Sequence, residues 1–252
     1  MQIIKSRGKE YEIPENIDEL TPDQYAYFLM LYLTSGYHNP KGQTFIERWM
    51  AYLLGMEDYK ILLPEYIAEI DAQLPLLGGF FVNGEPDLRT VRNLLPEYKG
   101  FAGPADGLSG FPFGRFVECL TELTGMGKAE READYEECVD HIARAMYDIP
   151  ESAAVPFILK FHAPRLFYNV WNMIQTGPVE INGEPIDFRI LFRSSGESRP
   201  DDKTGWTGIT FEVAEKGVFG TVPEVEATDM WAVLIYLYKC KFEYNYEKSK
   251  MK

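Results

Sequence analysis

The chain has 252 residues, 46% of them apolar and 25% charged, enough to bury a sizeable core as one large domain or two smaller ones. Its net charge of −14 argues against sequence-independent binding of nucleic acid and against anionic membrane surfaces, both of which need Lys and Arg. Three cysteines, Cys119, Cys138 and Cys240, give no paired framework and suit a reducing, cytoplasmic compartment; the N-terminus shows no apolar core of signal-peptide length, and no apolar run reaches that of a membrane span.

Residues 2–13 read as a hairpin, turning near Arg7-Gly8 and closed by Pro14. Thr21-Pro22-Asp23-Gln24 is a helix start: Thr21 caps, Pro22 fits the first helical position and Gln24 completes a capping box. Leu20 and Tyr25 sit where a hydrophobic staple would, and Tyr25, Phe28, Leu29, Tyr32 and Leu33 continue as a helical stripe. Gly36–Gly42 ends that helix, a second helix is expected over 44–54, and a third apolar segment lies at 66–74 between Pro64 and Pro75.

The pattern then changes to Phe-Phe-Val and Asn83-Gly84-Glu85-Pro86, a tight-turn signal. The words VNGEPDLR at 82–89 return as INGEPIDFR at 181–189, through either a duplicated hairpin or convergence on good turn chemistry. Residues 94–114, with five Gly and three Pro, read as a loop and as the boundary between regions 1–93 and 94–252, unless the two form one continuous domain. Helices are expected over 115–123 and 130–147, the second with Tyr135, Cys138, Val139, Ile142 and Met146 in its stripe. Pro156 and Pro164 each suit a helix start, giving a short helix and then another over 164–175, stopped by Gly177. A hairpin over 179–192 turns at Asn182-Gly183, and the polar stretch 193–204 reads as a mobile, exposed loop.

The last fifty residues form the unit around which the chain is organised. Met230–Tyr238 holds no charged or polar residue, and Asp229 before it and Lys239 and Lys241 after it suit the two ends of a helix dipole. Residues 239–247 alternate polar and apolar, with Cys240, Phe242, Tyr244 and Tyr246 on one side; this is strand periodicity, although continuation of the helix is favoured. The fold class expected is α+β, helix-dominated, with two or three short β-hairpins.

No residue pattern marks an enzyme. Glu137, Cys138 and His141 sit on adjacent helical turns, but a lone Cys-x-x-His without a second pair favours a core-facing Cys beside a surface His over a metal site. His162, just before Ala163-Pro164, is assigned to capping, and Cys119 to packing. Asp187, Asp201 and Asp202 lack calcium-loop spacing, and the Gly-rich run 100–114 lacks the Lys-Ser/Thr of a phosphate loop. No catalytic residue, cofactor or metal ligand is expected.

Four stretches together resemble a family of tailed bacteriophages and prophages, particularly those of gut Bacteroidetes. They are IPENIDELTPDQYAYFL at 13–29, GPADGLSGFPFGRFVECL at 103–120, FHAPRLFYNVWNMIQTGPVEINGEPIDF at 161–188 and GWTGITFEVAEKGVFGTVPEVEATDMWAVLIYLY at 205–238. Such proteins resemble tail-assembly chaperones encoded near the tape-measure gene. The resemblance implies a cytoplasmic, non-enzymatic protein that binds the long helical tape-measure protein, or another tail protein, and keeps it soluble; homo-oligomerisation is compatible with it. Trp231, Leu234, Tyr238, Phe242, Tyr244 and Tyr246 are the candidate contacts for a partner or a second copy, with the domain core as their other reading. A structural tail or baseplate component is the alternative, and an enzyme with a site assembled from scattered residues a further one.

Overall fold

A computed structural model describes residues 1–34, 44–56, 64–181, 183–192 and 204–250. The segment 36–42, Asn182, Asp201, Asp202 and, apart from Thr204, the stretch 193–204 lie outside them. The chain divides into two compact units, Met1–Thr90 and Val91–Lys252. The architecture is α+β and helix-dominated, and each unit holds two of the four two-stranded antiparallel sheets found among the described residues. None of the described helices is long and apolar enough to cross a membrane.

In the first unit, β1 (Gln2–Ser6) and β2 (Lys9–Ile13) pair across a turn in which Arg7 and Gly8 both take positive φ, as a two-residue hairpin needs. Helix α1 (Pro22–Thr34) starts with the expected capping box: Thr21 N–H donates to Gln24 at 3.0 Å, and Gln24 N–H donates back to Thr21 Oγ1 at 3.3 Å. Helix α2 (Phe45–Leu53) uses the same device with Thr44 and Glu47. Phe28 of α1 meets Trp49 of α2 edge-on at 5.3 Å and packs with Phe45 and Phe80, which sets the core of this unit. Leu31 is buried, while Tyr32 and Leu33 of the expected stripe are only partly covered. Helix α3 (Pro64–Gln73) runs into a 3-10 segment (Leu74–Phe80) and the hairpin β3 (Phe81–Val82) and β4 (Glu85–Pro86).

The second unit begins with the Gly- and Pro-rich stretch. Within it lies a hairpin the sequence did not show, β5 (Glu97–Tyr98) and β6 (Phe101–Ala102), turning through Lys99 and Gly100 at positive φ. Two residues per strand are too few to display a period, and Lys-Gly is a weaker turn signal than Asn-Gly. Helices α4 (Phe113–Met126), α5 (Glu132–Tyr147) and α6 (Phe157–Thr176) pack in succession, α4 on α5 and α5 on α6. Phe116 of α4 is the centre of their ring cluster, within 6.0 Å of Phe113, Phe167, Trp171 and Trp206. On α5, Val139, Ile142 and Met146 are buried as expected, but Tyr135 faces outwards.

Helix α6 corrects the reading of two helices: it runs unbroken through Pro164. Proline there lacks the N–H that would bond to the carbonyl four residues back, an interior cost of about 3 kcal/mol. Burial of Pro164 with Ala163, Leu166 and Phe167 on its core side offsets that cost, a tertiary effect absent from local pattern. The expected hairpin over 179–192 is also shorter, with β7 (Val179–Ile181) paired to β8 (Glu184–Ile186), and residues Phe188–Leu191 form a 3-10 turn. Helices α7 (Gly205–Glu215), α8 (Val222–Ala227) and α9 (Met230–Lys250) complete the unit.

The repeated words share a geometry beyond their turns. After β4, Asp87 accepts Arg89 N–H at 3.2 Å and Arg89 Nε at 2.7 Å; after β8, Asp187 accepts the same donors of Arg189 at 3.1 and 2.7 Å. Between them Leu88 and Phe188 are buried. The arginine beside Asp87 holds that carboxyl below the ordinary range.

Close packing makes one glycine testable. A Cβ on Gly103 would lie 2.5 Å from a ring carbon of Tyr147 and 2.8 Å from Asn93 Nδ2, both of them buried. Gly103→Ala is expected to destabilise by about 2–4 kcal/mol through overpacking and broken hydrogen bonds. Gly177→Ala, at an extended backbone with nothing within 4 Å, is expected to leave stability unchanged or slightly raised. Denaturant melts of the two variants check the contrast.

Candidate functional site at the end of the last helix

Helix α9 is rooted by backbone and carboxylate bonds. Met230 N–H donates to the Phe111 carbonyl at 2.8 Å, and Phe113 N–H donates to that of Thr228 at 2.8 Å. Asp229 caps the helix by accepting Trp231 N–H at 2.7 Å, and its second oxygen accepts Gly110 N–H at 2.9 Å. The expected role of Asp229 at the positive end of a helix dipole is therefore met. Lys239 and Lys241, by contrast, lie inside the helix, whose last turn carries Lys248 and Lys250.

The candidate residues divide along the helix. Leu234 is fully buried with Met230 and Val233, so it belongs to the core and offers nothing to a partner. Trp231 is partly covered; its indole N–H donates to the Gly107 carbonyl at 3.0 Å, and its ring packs near Phe188 at 5.9 Å. Tyr238 meets Phe188 edge-on at 5.9 Å and stacks along the helix with Phe242 at 6.1 Å. From Lys239 onward the cover ends: Phe242 is 56% exposed, Tyr244 47% and Tyr246 56%.

The alternation over 239–247 explains this exposure. In a helix, residues two apart are separated by about 200°, so a period of two splits the aromatics between opposite faces. Tyr238, Phe242 and Tyr246 follow one another at four-residue steps on one side, with Tyr236, Cys240 and Tyr244 on the other. Tyr236 is anchored edge-on against Phe219 at 5.6 Å, and Tyr244 stands between Lys241 and Lys248, each 5.9 Å from its ring. Neither stripe is wide enough to make one apolar face for the core to bury. The tail thus presents aromatic rings and lysines together to solvent.

The other clusters are engaged elsewhere. Cys138 and His141 face Glu122 of α4, with His141 Nδ1 3.4 Å from Glu122 Oε1. Partial burial, then the neighbouring Glu122, push the Cys138 thiol upward and keep it protonated. Burial pushes the Cys119 thiol up as well. Among the described residues, no group of three His, Cys, Asp or Glu is placed to hold a metal ion. In the Gly-rich stretch, the amides of Gly103, Gly107 and Gly110 donate to Pro96, Val91 and Asp229, so they do not form a cradle for phosphate.

His162 is not a cap. It lies inside α6, 1% exposed, with Nε2 2.9 Å from Asn93 Oδ1. That oxygen also accepts Leu95 N–H at 3.0 Å, while Asn93 Nδ2 donates to the Pro104 carbonyl at 2.7 Å. The orientation of the amide is thereby fixed, and Nε2 must carry the proton. The Tyr147 hydroxyl adds contacts to the Leu95 carbonyl at 2.8 Å and to Asn93 at 3.1 Å. Nothing in the sequence marks these residues, which are 54 and 69 positions apart from Asn93.

Burial lowers the His162 pKa from 6.5 to about 3. The unfolded chain therefore binds a proton below pH 6.5 that the native state refuses until about pH 3. The associated stability is complete above pH 6.5 and is lost as pH falls towards 3, at roughly 1.4 kcal/mol per unit. His162→Gln, which retains an N–H donor, is expected to flatten this part of the stability–pH curve, as read by urea melts at several pH values.

Compared with known proteins, the chain matches no protein-family description, no curated protein and no solved structure.

Proposed function

We propose that this chain is a non-enzymatic binding protein of phage tail assembly, which holds the tape-measure protein, or another helical tail protein, in the bacterial cytoplasm until tail subunits replace it. The observation that carries the reading is the uncovered tail of α9, with Phe242, Tyr244 and Tyr246 each about half exposed on a helix whose root is fixed in the core. Exposed aromatics on a rigid support lose little conformational freedom on binding and supply large contact areas, which suits capture of an amphipathic helix. The net charge of −14 keeps a protein with such a surface soluble. The resemblance of the four stretches supplies the setting.

The test is co-expression with the tape-measure protein of the same genome, followed by affinity capture and sizing. A soluble stoichiometric complex is expected with the natural chain, and its loss with Phe242→Ala/Tyr246→Ala. That double variant is expected to stay within about 0.5 kcal/mol of the natural stability, because both side chains face solvent. Trp231→Ala is expected to cost about 2–4 kcal/mol by removing packing and the bond to Gly107, so its binding defect alone is not diagnostic. A tape-measure protein that stays insoluble, beside a chain that is recovered in purified particles, overturns the proposal in favour of a structural tail component.

A further inference from the structure

On the α9 tail, charge is sorted around the helix. At about 100° per residue, Tyr238, Phe242 and Tyr246 fall within an arc of roughly 80°. Lys239 and Lys250 border that arc on one side, and Lys241 and Lys248 lie beyond Asn245 on the other. Glu243 and Glu247, the only carboxylates over 239–250, share the remaining face with Cys240 and Tyr244. An arc of about 200° thus carries rings at its centre, lysines at both edges and no acid, in a chain of net charge −14. Tyr238 seats the ridge of rings against Phe188 at 5.9 Å and stacks with Phe242 at 6.1 Å, so the ridge starts on the core and runs out beyond it. At its tip Lys250 stands 4.3 Å from the Tyr246 ring. Lys239 lies 3.9 Å from Glu243, a loose and exposed pair that a better-placed carboxylate can replace.

We infer that the occupant of this ridge is a partner helix whose apolar stripe is flanked by carboxylates. A row of side chains at four-residue steps is the ridge that packs into the groove of a second helix, crossing it at about −50° or +20°. The lysines on both edges of the ridge then meet the borders of the partner's stripe, where Asp and Glu complete the pairs and Lys and Arg are repelled. A second α9 is a poor occupant, because it sets lysine against lysine along the edges of the ridge. An anionic membrane is a poor one as well. The net charge of −14 opposes approach, and Asn245, Ser249 and the tyrosine hydroxyls interrupt the apolar surface. The inference rests on the tail as the docking site of the function proposed above, and it adds the sign of the charge that the captured helix carries.

Binding of two synthetic peptides to the purified full chain, read by fluorescence anisotropy, tests it without any tail protein. Both are helices of about 18 residues with the same leucine stripe, bordered by glutamate in one and by glutamine in the other. The body of the chain repels a negative peptide, so tighter binding of the glutamate peptide reports a local positive surface. That peptide is expected to bind about fivefold or more tightly at low ionic strength, and the two to converge in about 0.5 M salt. Lys239→Gln/Lys241→Gln/Lys248→Gln/Lys250→Gln is expected to reverse the order, and Phe242→Ala/Tyr246→Ala to weaken both peptides about tenfold or more. Circular dichroism establishes that the variants are folded, and the comparison on the natural chain stands whether they fold or not. A glutamine peptide that binds as tightly overturns the inference, as does a chain that binds neither peptide or a lysine variant that keeps the preference. A dimer of the natural chain that Phe242→Ala/Tyr246→Ala dissolves overturns it in favour of a second copy. Flotation with phosphatidylglycerol vesicles, lost in the lysine variant, overturns it in favour of a lipid surface. Capture of the tape-measure protein without the preference counts only against this inference; the preference without capture counts only against the function proposed above.

Discussion

One side-chain oxygen, Oδ1 of Asn93, organises the second unit. It is buried, and it accepts from Leu95 N–H and His162 while lying within reach of the Tyr147 hydroxyl. Those partners come from the irregular stretch, from α5 and from α6, so a segment with almost no regular structure is fastened to two core helices. A buried amide left unsatisfied would cost about 1–3 kcal/mol, and satisfied in this way it specifies one path for the chain. That path delivers the Gly107 carbonyl to Trp231, the Phe111 carbonyl to Met230 and the Gly110 amide to Asp229. The position of α9 therefore descends from a polar contact in the core.

What was legible in the sequence is what depends on neighbours along the chain. The Thr21–Gln24 box, the Arg7-Gly8 turn and the aspartate at the positive end of the α9 dipole are local chemistry, and each forms as read. What was not legible depends on partners far away. Pro164 reads as a helix start until its burial is known, and His162 reads as a cap until Asn93 is placed beside it. Leu234 and Phe242 look alike as apolar residues near a chain end, yet one is fully buried and the other is 56% exposed. The extent of the core, which pattern alone does not give, separates them. The helix favoured over 239–247 forms, and its period of two marks a helix that no single surface covers.

The two NGEP segments show how far a short repeat can be read. Turn chemistry explains Asn-Gly in each, but it does not require an aspartate and an arginine afterwards. Both copies nevertheless close with the same carboxylate–guanidinium clamp and send one apolar residue, Leu88 or Phe188, into a core. In the second unit that residue is also the platform on which Trp231 and Tyr238 rest. A local motif that lies near the end of the first unit thus becomes, in the second, a bearing for α9.

Helix α9 is one uninterrupted rod of 21 residues, about 30 Å from end to end. Its direction is set at the root, where the Asp229 carboxylate and the Phe111 and Thr228 carbonyls hold the first turn. Because Trp231 and Tyr238 rest on Phe188, the overhang begins at Lys239 and runs about 18 Å to Lys250, and a tilt of about 10° there carries the far tip through roughly 3 Å. The aim of the aromatic tip is therefore governed by residues that never meet whatever binds there, and substitutions at Gly110 or Phe111 would redirect the tail without altering a single side chain on it.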